Sequence, residues 1–195
     1  GDDLKEIYQD VPEHPDLGNP CVTDKRVLGV SKSVVAIVER SALTKKDGQW
    51  VMTVDSLHTV KQGAGNLCDF DRFFNSPATK VDGTGFLVAE DVVATAGHVV
   101  YTDAGSSSYS TFLGSVYFVF DYVMESDGRV KTTYDDSEVY EGREVLTPCW
   151  GAGADWALIR LDSVVTGRDA LKYRKDGKVS KGDSVYMIGH PGGSN

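Results

Sequence analysis

Gly83-Thr84-Gly85-Phe86-Leu87-Val88-Ala89-Glu90-Asp91-Val92-Val93-Ala94-Thr95-Ala96-Gly97-His98 is the stretch on which the fold turns. Its two apolar runs, Thr84 to Ala89 and Val92 to Thr95, are β-branched-rich and too short for helices, and Glu90-Asp91 separates them as a turn. An antiparallel strand pair follows. The second strand delivers His98 just past its end, and Ala96 and Gly97 are small enough for tight packing and a sharp turn there.

The same pattern spreads in both directions. Upstream, Ser33 to Val38 is a β-branched run short enough for a buried strand. Lys45 to Gln49, with Asp47-Gly48 as its hairpin signal, turns the chain into a strand from Trp50 to Val54. Residues 61 to 83 are irregular, and Tyr101 to Ser110 reads as a polar loop. Downstream, Val116 to Val123 is the strongest strand, and Ser126-Asp127-Gly128-Arg129 turns it back into Val130 to Tyr134. Val139 to Leu146 is a further strand, Cys149 to Ala154 a glycine-bearing connector, and Trp156 to Leu161 and Ser184 to Ile188 are strands. Long helical periodicity is missing throughout, so the pattern predicts an all-β barrel or sandwich. Residues 1 to about 26, with Pro12, Pro15 and Pro20 among many acids, read as an extended arm.

Composition narrows the function classes. The chain has 195 residues, 41% of them hydrophobic, enough for a substantial core in one domain or two small subdomains. A formal charge of −9 argues against a polyanion-binding surface, so nucleic acid is not an expected partner. The basic residues between Arg168 and Lys181 are interleaved with Asp169 and Asp176, followed by Asp183, and read as a solvated hairpin. No apolar run reaches the roughly 18 residues of a membrane span. The opening residues show no signal-peptide pattern, which by itself says nothing about targeting.

Cys21, Cys68 and Cys149 allow at most one internal bridge, with three possible pairings, and none has Cys-x-x-Cys spacing. Cys68 stands well ahead of the glycine-rich strand. His14 and His58 lack ligand-spaced partners, and the four histidines do not form a metal motif, so no cofactor is expected.

Chemistry concentrates elsewhere. Acyl transfer needs a nucleophile, a base that titrates near neutrality, and a carboxylate that fixes the base's tautomer. His98, aimed by a rigid strand, suits the base. Asp155, opening Asp155-Trp156-Ala157-Leu158-Ile159-Arg160-Leu161, suits the carboxylate. Asp91, Asp103 and Asp121 lie at turns or in strands and do not match.

In order and rough spacing, Gly83 to Val88, Val92 to His98 and Asp155 to Leu161 resemble the His and Asp segments of trypsin-like serine peptidases. The likeness is nearest to bacterial glutamyl-endopeptidase and HtrA-like branches. It covers about residues 28 to 195, including Lys181-Gly182-Asp183 and the turn Ile188-Gly189-His190-Pro191-Gly192. The resemblance implies two antiparallel β-barrels: residues 1–27 as an arm, 28–148 as a first barrel carrying the His, and 149–195 as the inter-barrel connector with the Asp and the opening strands of a second, partly present barrel.

It further implies His98 as general base and then acid, Asp155 as its orienting partner, a polypeptide substrate, and a secreted or periplasmic home. In some bacterial relatives a cysteine placed like Cys68 pairs with one just before Gly-Phe-Leu-Val. Here Gly83 or Thr84 occupies that place, so this bridge cannot form.

The nucleophile is not expected within the chain. Gly182-Asp183-Ser184 matches three letters of Gly-Asp-Ser-Gly, but Val185 stands where a glycine must let backbone N–H groups form an oxyanion pocket. Ser194 has only Asn195 after it. A serine beyond Asn195 is therefore expected, the chain alone is expected to be inactive, and its own cleaved C-terminal half is a conceivable partner. His190 reads as a turn histidine bonded to backbone, with a place facing the cleft as the alternative. A non-catalytic binding module and a cysteine nucleophile on the same fold are the remaining readings.

Overall fold

Strand β1 (Val34–Glu39) is the axis of the molecule, because its apolar run is buried on both faces. Val35 and Ile37 enter one core, and Ala36 and Val38 enter another. A strand covered on both sides reads as a continuous hydrophobic run rather than an alternating one. The computed structural model describes residues 25–61, 68–70, 74–101, 109–123, 125, 129–151, 153–190 and 193.

Around β1 a seven-stranded sheet runs in the order β10-β8-β1-β6-β7-β12-β11. Its members are β6 (Val81–Ala89), β7 (Val92–Thr95), β8 (Val116–Phe120), β10 (Val139–Tyr140), β11 (Gly142–Gly151) and β12 (Ala154–Leu161). All its pairings are antiparallel. The sheet curls into a half-barrel, with β11 returning towards β8. It closes on Val35, Ile37, Leu87, Val93, Phe118 and Ile159, each with no exposed surface. The fold is all-β, as the sequence pattern predicts.

Gly85 serves this curvature. A Cβ there would stand 2.5 Å from Val93 Cγ1 and 3.1 Å from Val35 Cγ1, so only glycine lets β6 lie between its neighbours without displacing them.

The second core lies outside the half-barrel. A three-stranded sheet, β2 (Leu43–Lys46), β3 (Gln49–Met52) and β9 (Thr133–Tyr134), covers the outer face of β1 and β8 with Leu43, Met52 and Tyr134. Its hairpin turns at Asp47 and Gly48, with φ of 50° and 84°, the left-handed pair expected of a two-residue turn. A two-stranded ribbon, β4 (Asp55–Ser56) and β5 (Pro77–Ala78), completes the strands among the described residues.

Several elements differ from the sequence reading. Lys25–Ser31 is a helix, α1, where the chain was expected to pass from arm to strand; the rest of the arm lies outside the described residues. Leu57–Val60 is a one-turn helix, α2. Gly97–Val100 and Tyr109–Ser115 form two more helices, α3 and α4. The polar composition before Phe112 hid α4, yet Phe112 is 1% exposed and pins it into the barrel core. The turn at Ser126 to Gly128 lies outside the described residues.

Cys149 to Ala154, read as a connector, is instead the tip of the β11–β12 hairpin, with Cys149 paired to Trp156 and Gly151 to Ala154. Proline and two glycines disguised the strand, but its ladder partner is adjacent in sequence and fixes it.

Ser184 to Ile188 forms no strand. Val185, Tyr186 and Met187 are 72%, 60% and 94% exposed, and no described strand lies alongside to take their hydrogen bonds. The segment from Lys172 to Lys181 is exposed as expected, but it forms no hairpin ladder.

Candidate functional site

The site begins with strand register. β12 pairs with β7 so that Ala157 faces Thr95. Extending that register two residues sets Asp155 level with Gly97, just where β7 gives way to α3. Side chains two apart on a strand share a face, so Asp155 projects at the rim of the half-barrel on the side of buried Ala157.

Helix α3 starts at Ala96, whose methyl cannot cap it. Asp155 caps it from the neighbouring strand: the His98 N–H donates to Asp155 Oδ1 at 2.8 Å. Free N–H groups at a helix start favour a carboxylate in this position. The other oxygen, Oδ2, lies 2.8 Å from His98 Nδ1. One carboxylate thus holds both the backbone and the ring of the same residue.

Gly97 makes this approach possible. A Cβ there would meet the Cys149 carbonyl oxygen at 2.2 Å and the Trp156 nitrogen at 3.0 Å. The glycine of Thr95-Ala96-Gly97-His98 therefore lets α3 seat against the β11–β12 hairpin.

Electrostatics follow from these bonds. The His98 ring, with the backbone N–H groups of His98 and Gly97, holds the Asp155 carboxyl below the usual carboxylate range. An ionised carboxylate only accepts hydrogen bonds, so Nδ1 carries the proton it donates. In the neutral ring that leaves a lone pair on Nε2. The side chains are 58% and 46% exposed, so an incoming molecule can reach the ring.

The residues beside this pair escaped the sequence reading. Trp150 is the ladder partner of Asp155 and shares its face. Its indole is 59% exposed and packs 5.1 Å from the ring of Tyr101, the residue that ends α3. Tyr101 in turn meets Tyr109 at 5.9 Å, edge to face. The available signal was aromatic density: Trp150 five residues before Asp155, and Tyr101 three after His98.

The remaining candidates lie elsewhere. Ser184 is exposed in the ladderless segment, and among the described residues no serine hydroxyl hydrogen-bonds His98. Ser194 lies outside the described residues, as do His14 and Cys21. The His190 N–H donates to Thr84 Oγ1 at 2.9 Å, and its ring leans on Tyr122 at 5.2 Å. His58 stacks on Phe74 with centroids 4.1 Å apart, its Nδ1 2.9 Å from Ser56 Oγ. Cys68 and Cys149 are free thiols, so no bridge joins them. Among the described residues no group of three His, Cys, Asp or Glu side chains could hold a metal, and no helix is long and apolar enough to cross a membrane.

Residues 83–195 match the model of the trypsin-like peptidase domain. The chain belongs to this family. The matched region opens at Gly83, so β7, α3, the β11–β12 hairpin and all of β6 but its first two residues fall within it, while β2 and β3 come before it. The chain is similar to exfoliative toxin A of Staphylococcus aureus, with 30% identity over 118 residues, 57% of this chain. It spans 39% of that toxin's length.

Proposed function

We propose that this trypsin-like peptidase chain supplies the base and the orienting carboxylate of a serine endopeptidase, with the nucleophilic serine outside residues 1–195. The observation that carries the reading is the Asp155 carboxylate bound to His98 Nδ1 at 2.8 Å, with the ring still accessible.

In the proposed reaction Nε2 removes the proton from a serine hydroxyl as the oxygen adds to a peptide carbonyl. The imidazolium then gives this proton to the departing amine as the C–N bond breaks, leaving an acyl-enzyme. Water repeats the sequence, losing a proton to Nε2 and releasing the acid and the free serine. Asp155 stays ionised throughout and stabilises the imidazolium. Val185 after Ser184, and the position of Ser184 on an exposed segment, support a nucleophile from elsewhere in the parent protein. The proposal includes a secreted or periplasmic home, which rests on the family resemblance alone.

The test uses the full gene product and the 195-residue chain side by side. A serine-directed fluorophosphonate, followed by peptide mapping, should label the gene product at a serine outside residues 1–195, and His98→Ala should abolish labelling. The 195-residue chain should stay unlabelled. Labelling of Ser184 in the short chain would overturn the assignment. A gene product that binds peptides but neither labels nor cleaves them would instead be a binding module.

A further inference from the structure

We propose that Trp150, Tyr101 and Tyr109 form a preorganised aromatic shelf beside His98, which selects polypeptides carrying a bulky apolar side chain close to the scissile bond. The inference rests on the peptidase reading of His98 and Asp155 and adds a substrate class to it.

Three observations converge. Trp150 stands opposite Asp155 on the ladder, so its indole emerges on the same face as the carboxylate that holds the imidazole. Trp150 is 59% exposed at the rim while packed on Tyr101, so the aromatic surface beside the pair stays open to a guest. The shelf is also rigid. Tyr101 and Tyr109 pack against the barrel core, and Trp150 rests on Tyr101. A substrate side chain meeting this surface loses little of the protein's freedom, which favours affinity.

The chemistry of the shelf distinguishes its guest. Aromatic faces accept apolar side chains and cations alike. A lysine or arginine held here would also need a carboxylate. Asp155, the acid on the ladder beside Trp150, is already engaged by the His98 ring and by two backbone N–H groups. The tyrosine hydroxyls face each other at 3.4 Å. A neutral side chain of leucine, phenylalanine or proline size fits these conditions best.

Two measurements test the shelf. In the first, the full gene product is given paired peptides that differ at one position near the cleaved bond, with phenylalanine, leucine or proline against glycine or lysine. The wild type should prefer the bulky apolar members. Trp150→Ala should cut that preference roughly tenfold or more, the range expected for losing an apolar pocket wall. Trp150→Phe should restore part of it, and Tyr173→Ala, which removes an exposed aromatic outside the shelf, should not change it. Normal turnover with an unchanged preference in Trp150→Ala overturns the shelf and leaves the peptidase reading standing.

In the second, the His98→Ala form of the 195-residue chain is titrated with blocked phenylalanine, glycine and lysine peptides, watching indole resonances by NMR. A shift of the Trp150 signal with the phenylalanine peptide alone supports the shelf even if the gene product cleaves nothing. A Trp150 signal that stays still, or that moves equally with lysine peptides, overturns it.

Discussion

At residue 155 a single carboxylate has two tasks, and they separate on substitution. Asparagine keeps an oxygen that can cap α3, and Asn and Asp are near-equivalent caps. Its amide, however, can donate to Nδ1 and hold the ring in the wrong tautomer. Asp155→Asn in the full gene product should therefore lower kcat/KM by roughly 10⁴-fold, the scale found when a triad aspartate is replaced this way. The melting temperature should change little. A large loss of stability with retained activity would mean that the carboxylate is only a cap.

Titration gives a second handle on the same group. Its folded pKa lies below the ordinary value of about 3.9. The stability it contributes is therefore complete above that ordinary value and disappears as pH falls through the depressed folded one. The His98 ring is the largest cause of the depression, and the backbone N–H groups of His98 and Gly97 contribute further. In the His98→Ala chain the NMR titration midpoint of Asp155 should rise towards the ordinary value without reaching it. A midpoint that does not move would show that the ring bond is not formed in solution.

Among the elements, α3 shows how a few residues carry a candidate site whose two members sequence could name but not space. His98 and Asp155 were legible because each stands at the end of a short apolar strand. Their separation was not, since it depends on the β7–β12 register and on the Cys149 carbonyl pressed against Gly97. Trp150 was hidden for a related reason: proline and glycines made β11 look like a connector, although its ladder with β12 continues to Gly151. The Ser184 to Ile188 segment failed in the opposite sense, since a strand pattern makes no strand without a neighbour to pair with.

Two glycine substitutions test this at the element scale. Gly97→Ala places a methyl 2.2 Å from a backbone oxygen that cannot rotate away. Overpacking of this kind costs about 1–3 kcal/mol, and it should push α3 off the hairpin, breaking the bond between His98 and Asp155. Gly29, inside α1, has nothing within 4 Å of an added Cβ. Gly29→Ala should therefore stabilise by about 0.5–1 kcal/mol, from helix propensity alone. Urea unfolding of both variants, with a chemical-shift check on His98, decides the matter. Equal effects would contradict the steric account of Gly97.

On the scale of the whole molecule, the half-barrel must hold the chain that leaves β12. The basic run after Arg168 appeared in the sequence as one solvated group, but Arg168 itself turns inward. Its side chain is 8% exposed, Nη2 lies 2.5 Å from Asp121 Oδ2, and the guanidinium sits over the Phe120 ring at 4.9 Å. Nearby, Ser33 Oγ donates to the Asp169 carbonyl at 2.6 Å, and the Leu171 N–H to the Leu87 carbonyl at 2.7 Å.

These bonds strap the segment across β1, β6 and the end of β8, where Asp121 takes a left-handed φ of 53°. Sequence could not reveal the strap, because partners this far apart leave no local periodicity. Removing one member of a buried ion pair leaves the other uncompensated, at about 3–5 kcal/mol when both are fully buried. Asp121 is 34% exposed, so water recovers part of that loss. Arg168→Met should cost about 2–3 kcal/mol in urea unfolding. Adding Asp121→Asn should recover most of it, because asparagine is neutral and tolerates the left-handed backbone. If the double variant is no more stable than the single one, the strap holds through packing on Phe120 rather than through charge.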